Sequence, residues 1–305
     1  MGTPAFACPI LEALLARADP VVGVVCRPDR PRGRGLAVAA PEVKRLATAH
    51  GLPVLQPERL RDPAFEHALG ALAPDLIVVA AYGKILPRAV LSLPARGCIN
   101  VHASLLPRHR GAAPIAWAIL AGDAVTGVTI MAMNEEMDAG DVLLQREVAI
   151  APDETTGTLT DRLAHLGARA IGEAIDGLRA GQVRPVPQPP NGVTFAPRVT
   201  REQGRIDWQP PAEEIERLVR AFAPAPSAFT TWDGKVLKVH RARLAHGTGG
   251  PPGRVLAAGP GGVVVAAGTG ALALLELQLE GRRRLGVAEF LAGQRLSPGA
   301  CLGTT

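Results

Sequence analysis

Two apolar runs, at residues 21–26 (Val-Val-Gly-Val-Val-Cys) and 76–81 (Leu-Ile-Val-Val-Ala-Ala), constrain the fold of this chain most. A strand with one face in water alternates apolar and polar residues. A strand apolar at every position is buried on both faces. Helical patterns lie between the two runs, around residues 41–50 and 63–72. Strand, helix, strand alternation gives a parallel sheet with helices on both sides. The expected class is α/β, doubly wound and Rossmann-like. Residues 113–121 are expected to be helical, and 126–133 and 141–150 to be strands with Asp138 in the turn between them. Residues 155–178 form a long amphipathic pattern, with Thr155 or Thr156 as its cap.

Residues 182–200 are too rich in proline for a regular element and are expected to link two domains. Beyond Arg205-Ile-Asp-Trp208 come a helical pattern at 212–223 and five short strand patterns, at 228–232, 235–241, 253–258, 262–267 and 271–280. Glycine-rich turns separate these strands. Five short strands suggest a small OB-like barrel. The expected division is a catalytic domain at 1–181, a linker at 182–204 and a barrel domain at 205–305. A length of 305 residues suits two domains of roughly 150 residues each.

The hydrophobic fraction of 47% supplies an ample core. Cys8, Cys26, Cys98 and Cys301 lie far apart with no C-x-x-C pair, so neither zinc nor a disulfide scaffold is expected. No secretory leader or membrane-length apolar run is visible, so a soluble cytoplasmic protein is expected. The net charge is +5, and most of the excess lies after residue 200. A basic tail domain is what binding a polyanion requires; a solvated basic face without a partner is the plainer alternative.

The run Asn100-Val-His102-Ala-Ser104-Leu-Leu-Pro107 concentrates polar chemistry where a buried strand ends. Asn100 and His102 are two apart, so on a strand they share a face. Ligands of open α/β sheets bind at the carboxyl ends of strands. Asp138, in Met-Asp-Ala-Gly-Asp, adds a carboxylate. Amide, imidazole and carboxylate together suit an acyl group: donors face a developing oxyanion, and the imidazole moves a proton.

The longer string from Asn100 to Pro114, Asn-Val-His-x-Ser-Leu-Leu-Pro-x-x-Arg-Gly-x-x-Pro, resembles the folate-dependent formyltransferases that use 10-formyltetrahydrofolate. The resemblance implies that Asn100, His102 and Asp138 are the catalytic set, with no metal. It also implies a folate pocket bordered by Tyr82, Gly83 and Leu86, in Ala-Tyr-Gly-x-Ile-Leu-Pro, and contacted by Ser104, Leu105, Leu106 and Pro107.

The segment Arg27-Pro-Asp-Arg30-Pro-Arg32-Gly-Arg34-Gly35 reads as a flexible cationic loop, of the kind that grips phosphates. It resembles a loop carried by those formyltransferases that act on initiator methionyl-tRNA and lacking in small-substrate relatives. Arg34 falls at that branch's important arginine, whereas Leu36-Ala37 stand where relatives often have two lysines. The resemblance makes Arg30, Arg32 and Arg34 candidate tRNA contacts. Lys235, Lys238 and Arg241 of the basic tail domain join them. Trp208 is expected in the core.

One departure stands out. The family begins with a strand before Gly-Thr-Pro, and here Gly2-Thr3-Pro4 follows Met1 directly. The strand's two neighbours are expected to lose ladder partners, and the natural protein is expected to be longer. The activity expected is formyl transfer to the α-amino group of methionine on initiator methionyl-tRNA, by a monomer. A formyltransferase for a small amine and a catalytically inactive RNA-binding relative are the alternatives.

Overall fold

The structure is a computed structural model that describes residues 1–32, 37–247 and 249–303. The chain divides into two compact units. One comprises Met1–Pro114, Val125–Ala149 and Thr160–Pro197; the other comprises Ile115–Ala124, Ile150–Leu159 and Arg198–Thr305.

The first unit opens with α1 (Ala7–Leu15), β1 (Val24–Val25), and a ribbon of β2 (Arg30–Arg32) and β3 (Ala37–Ala39). Then come α2 (Glu42–Ala49), β4 (Val54–Leu55), α3 (Pro63–Ala71), β5 (Ile77–Ala80), α4 (Arg88–Leu91) and β6 (Cys98–His102). The start of α3 is set locally: the Asp62 side chain accepts the Ala64 N–H, and Pro63 needs no acceptor. Next in the chain come α5 (Pro114–Ala121), most of which belongs to the second unit, then β7 (Val125–Ala132) and β8 (Val142–Ala149), which complete a sheet of order β5-β6-β7-β8 in the first, and α6 (Thr156–Arg179), whose first four residues belong to the second unit. The β5–β6 pair is parallel, as the strand, helix, strand alternation predicts, whereas β7 and β8 run antiparallel. Val25, Phe65, Leu69, Ile77, Val79 and Val90 form the buried core beside this sheet.

Met1 and Gly2 stand between β1 and β5. The Gly2 N–H donates to the Val25 carbonyl at 2.9 Å, and the Ala80 N–H to the Met1 carbonyl at 2.9 Å. The Met1 amine donates to the Val78 carbonyl at 2.6 Å, and burial pushes its pKa down to about 6. Gly2 and Ala80 form a single parallel bridge, and the chain passes from there into α1. Beside them lies a cavity of about 540 Å³ whose lining includes Ile10, Leu14, Val24, Leu69, Leu72 and Val78. β1 pairs with β4 in one sheet, and β5 with β6 in another.

In the second unit, α7 (Ala212–Ala221) precedes β9 (Ala228–Trp232), β10 (Lys235–Ala245), β11 (Val255–Gly259), β12 (Gly262–Ala266), β13 (Ala271–Leu279), β14 (Leu285–Gly286) and α8 (Val287–Gly293). The sheet is antiparallel along β11-β12-β13-β10-β9, with β14 paired to β13. It thus has the five main strands expected. β10 runs four residues past the expected end at Arg241, through irregularities in its register between Val239 and Ala242. Trp208 is buried, as expected, and its indole N–H donates to Thr230 Oγ1 at 3.1 Å.

The prolines of 182–197 exclude a helix or strand, but this segment does not hang free. Val186 exchanges both backbone hydrogen bonds with Val142, at 2.8 and 2.9 Å. Arg110 N–H donates to the Thr194 carbonyl at 2.9 Å, and Ala196 N–H to the Arg110 carbonyl at 2.7 Å. Every residue of this segment belongs to the first unit. Among the described residues, no helix is long and apolar enough to cross a membrane.

Candidate active site

β6 carries Asn100 and His102 on one face, and both side chains are buried. Opposite them on β7 are Met131 and Thr129. The β7–β8 connection brings in Asp138, which has a positive φ of 50°. Gly140 makes that turn possible, because a Cβ there would collide with the Ala132 carbonyl. Three elements distant in sequence therefore meet at one carboxylate. Asp138 Oδ1 lies 3.5 Å from Asn100 Nδ2 and 3.6 Å from His102 Nδ1. Asp138 Oδ2 accepts the Gly111 N–H at 2.9 Å. Gly111 has φ 128°, and a Cβ on it would sit 2.7 Å from the Ala196 carbonyl oxygen.

The imidazole is oriented from its far side. His102 Nε2 lies 3.0 Å from the His109 carbonyl, which has no proton to give, so Nε2 is the donor. With Nε2 protonated, Nδ1 faces a carboxylate oxygen. That approach is attractive when Nδ1 also carries a proton. At 3.6 Å the two atoms are close but too far apart for a direct hydrogen bond. His109 is held in turn: its N–H donates to Thr194 Oγ1 at 2.8 Å.

The expected folate residues divide by exposure. Tyr82, Leu86, Ser104 and Leu106 are buried. Tyr82 and Leu86 belong to the core cluster, and burial pushes the Tyr82 hydroxyl up to about 12. Ser104 is spoken for on both sides. Its hydroxyl donates to the Arg108 carbonyl at 2.7 Å, and its carbonyl accepts from Thr129 Oγ1 at 2.7 Å. Gly83 is exposed, and Leu105 and Pro107 are half-buried. No group of three His, Cys, Asp or Glu able to hold a metal occurs among the described residues.

Comparison with known proteins settles the family. The family model described as formyl transferase matches residues 1–175, and the formyl transferase C-terminal domain matches residues 198–295. The chain belongs to the formyl transferase family. It is 53% identical over 300 residues to the methionyl-tRNA formyltransferase of Myxococcus xanthus, covering 98% of this chain and 96% of the relative. It is 48% identical over 303 residues to that of Geobacter metallireducens, covering 99% and 97%. Among solved structures, the fold is similar to WlaRD, a sugar 3N-formyl transferase crystallised with dTDP and 5-N-formyl-THF. The TM-score is 0.69 at 15% identity, covering 92% of this chain and 97% of that one.

In this formyl transferase family member, the cationic segment is a ribbon rather than a plain loop, because Arg30 pairs with Ala39 and Arg32 with Ala37. The base of the segment is anchored at Asp29, which accepts from Gln56 Nε2 at 2.7 Å and from Lys44 Nζ at 2.8 Å. Those partners, Gln56 first, hold the Asp29 carboxyl below the usual range. The Arg27 guanidinium donates to the Gly83 carbonyl, so the ribbon and the Tyr82–Gly83 turn share a fixed point. Arg30 is exposed, 3.8 Å from Glu58. Arg34 lies outside the described residues. On β10, Leu237 and Val239 are buried, while Lys235 and Arg241 are exposed and Lys238 is half-buried.

Sequence reasoning missed the groups that position the trio: Gly111, the His109 carbonyl, Thr194 and Gln188. Gly111 and His109 stand inside the string that carried the family resemblance. Thr194 and Gln188 lie in the proline-rich segment, where no local pattern marks them.

Proposed function

We propose that this chain transfers a formyl group from 10-formyltetrahydrofolate to the α-amino group of methionine on initiator methionyl-tRNA. The observation that carries formyl transfer is the convergence of Asn100, His102 and Gly111 on Asp138 at the end of β6. Full-length similarity to methionyl-tRNA formyltransferases selects the acceptor.

The neutral amine attacks the formyl carbon, and a tetrahedral oxyanion develops. The Asn100 amide and the protonated His102 ring stabilise that charge. The new amide bond forms as the bond from the formyl carbon to N10 breaks. The amine loses one proton and N10 gains one. His102 assists this transfer, and Asp138 relays through water. A strong base is not required, since a free α-amino group titrates at about 8. Folate is held by backbone groups at Gly83 and by Leu105 and Pro107, with Tyr82, Leu86, Ser104 and Leu106 shaping the wall behind them. Arg30, Arg32 and Arg34 meet the acceptor end of the tRNA, and Lys235, Lys238 and Arg241 its phosphates. The enzyme works in the cytoplasm as a monomer.

The test supplies 10-formyltetrahydrofolate labelled in its formyl group, with methionyl initiator tRNA and, separately, with an amino-sugar nucleotide. Label is expected on methionine. Label on the sugar alone would replace this acceptor, and label on neither would remove the activity.

A further inference from the structure

Gln188 uses its whole amide to join the two loops that build the trio. Its Nε2 donates to the Asp138 carbonyl and to the Gly140 carbonyl, both at 2.8 Å. Its Oε1 accepts from Arg110 Nε at 3.0 Å and from Arg110 Nη2 at 2.7 Å. Two donors and two acceptor sites are thereby filled, which is all that a primary amide offers.

The two loops differ in what they give Asp138. One carries the carboxylate itself, on a residue at φ 50°. The other supplies the Gly111 N–H to Oδ2 and the His109 carbonyl to His102 Nε2. Arg110 lies between those two residues, so its guanidinium reports the position of that whole loop. A positive φ strains a non-glycine residue, and the conformation persists only where its surroundings hold it. The carbonyl of that same strained residue is what Gln188 grips.

Backbone bonds bring Gln188 there. Val186 is paired with Val142 on one side, and Thr194 and Ala196 with the Arg110 loop on the other. A chain of hydrogen bonds therefore runs from the start of β8, through Gln188, to the far nitrogen of His102.

We infer that Gln188 is a positioning residue for formyl transfer, holding the Asp138 carboxylate in register with His102 and Asn100. It touches no reacting atom and acts through Asp138 and Arg110. The inference rests on the formyl-transfer reading above. Its loss leaves both substrates bound but misaligns the proton path, so turnover falls while KM does not rise. A misplacement of this kind costs up to roughly 100-fold.

Two variants test this. Gln188→Ala removes both halves of the clamp. Gln188→Glu keeps the shape and the Arg110 pairing but turns an acceptor oxygen on the Asp138 and Gly140 carbonyls. The turnover is normalised to folate sites titrated with 5-formyltetrahydrofolate, so that unfolded protein is not counted. The expected result for both variants is a kcat per folate site lower by roughly 10- to 100-fold, with KM for tRNA and folate within about twofold of the parent. The solvent deuterium isotope effect on kcat is expected to grow, because proton transfer becomes slower than release. An unchanged kcat in Gln188→Glu overturns the inference, as does a raised KM with kcat intact or the loss of folate sites in both variants. A parent enzyme that formylates nothing overturns the formyl-transfer reading instead, and that result is distinct from every outcome for the variants.

Discussion

His102 and Asp138 face each other at 3.6 Å, Nδ1 toward Oδ1, while the opposite ring nitrogen is fixed by the His109 carbonyl at 3.0 Å. The ring is therefore gripped at one end and addressed by a carboxylate at the other, an arrangement suited to moving a proton rather than to supporting a fold. His102→Ala is expected to lower kcat by about 10²- to 10⁴-fold, the range of a general acid–base contribution. Asp138→Asn is expected to do the same, with tRNA and folate affinities nearly unchanged in both. Rapid-quench turnover beside equilibrium binding checks this; an equal fall in binding would assign the residues to substrate capture.

Gly140 allows the turn that delivers Asp138. Gly140→Ala drives a methyl group into the Ala132 carbonyl. Overpacking of that kind costs about 1–3 kcal/mol. Urea unfolding is expected to show that loss, and activity should fall further than the stability loss explains. Parental stability together with parental activity would mean that the turn tolerates a side chain.

Arg30 is exposed and lies 3.8 Å from Glu58. Arg30→Ala is expected to weaken tRNA binding and to reduce the slope of log affinity against log salt by about 1, since one phosphate contact releases about one counterion. Binding titrations over a range of salt measure it. A slope equal to the parent's would take Arg30 out of the tRNA contact.

Cys26 and Cys98 are buried, and burial pushes both thiols up to about 11. Cys301 is exposed, and Cys8 is only partly so. The thiolate is the reactive form, so at mildly alkaline pH Cys26 and Cys98 are expected to react about a hundredfold or more slowly than Cys301. A disulfide reagent in native buffer, followed by peptide mapping, reads the order directly. Rapid labelling of Cys26 or Cys98 would show that the sheet opens readily.

Much of the candidate site is legible in the sequence. A period of two puts Asn100 and His102 on one face, and the Met-Asp-Ala-Gly-Asp turn between two strand patterns placed Asp138. Apolar runs marked the parallel part of the sheet, although nothing local told that β7 returns antiparallel. What escaped was set by partners distant in the chain. Tyr82 reads as a pocket edge, yet its ring is buried in the core cluster. Proline at 185, 187, 189 and 190 speaks of a linker, but the backbone groups between and after those prolines remain free to pair. The arginine segment shows cationic chemistry in sequence, whereas its pairing with Ala37–Ala39 depends on register.

Formylation of methionyl initiator tRNA by the parent chain and by Asp138→Asn, side by side with labelled 10-formyltetrahydrofolate, tests the central claim most directly. The parent is expected to place the label on the methionine α-amino group, and the variant to bind both substrates while turning over at least about 100-fold more slowly. Parental turnover by Asp138→Asn, with binding intact, would contradict the proposed role of the carboxylate at the end of β6.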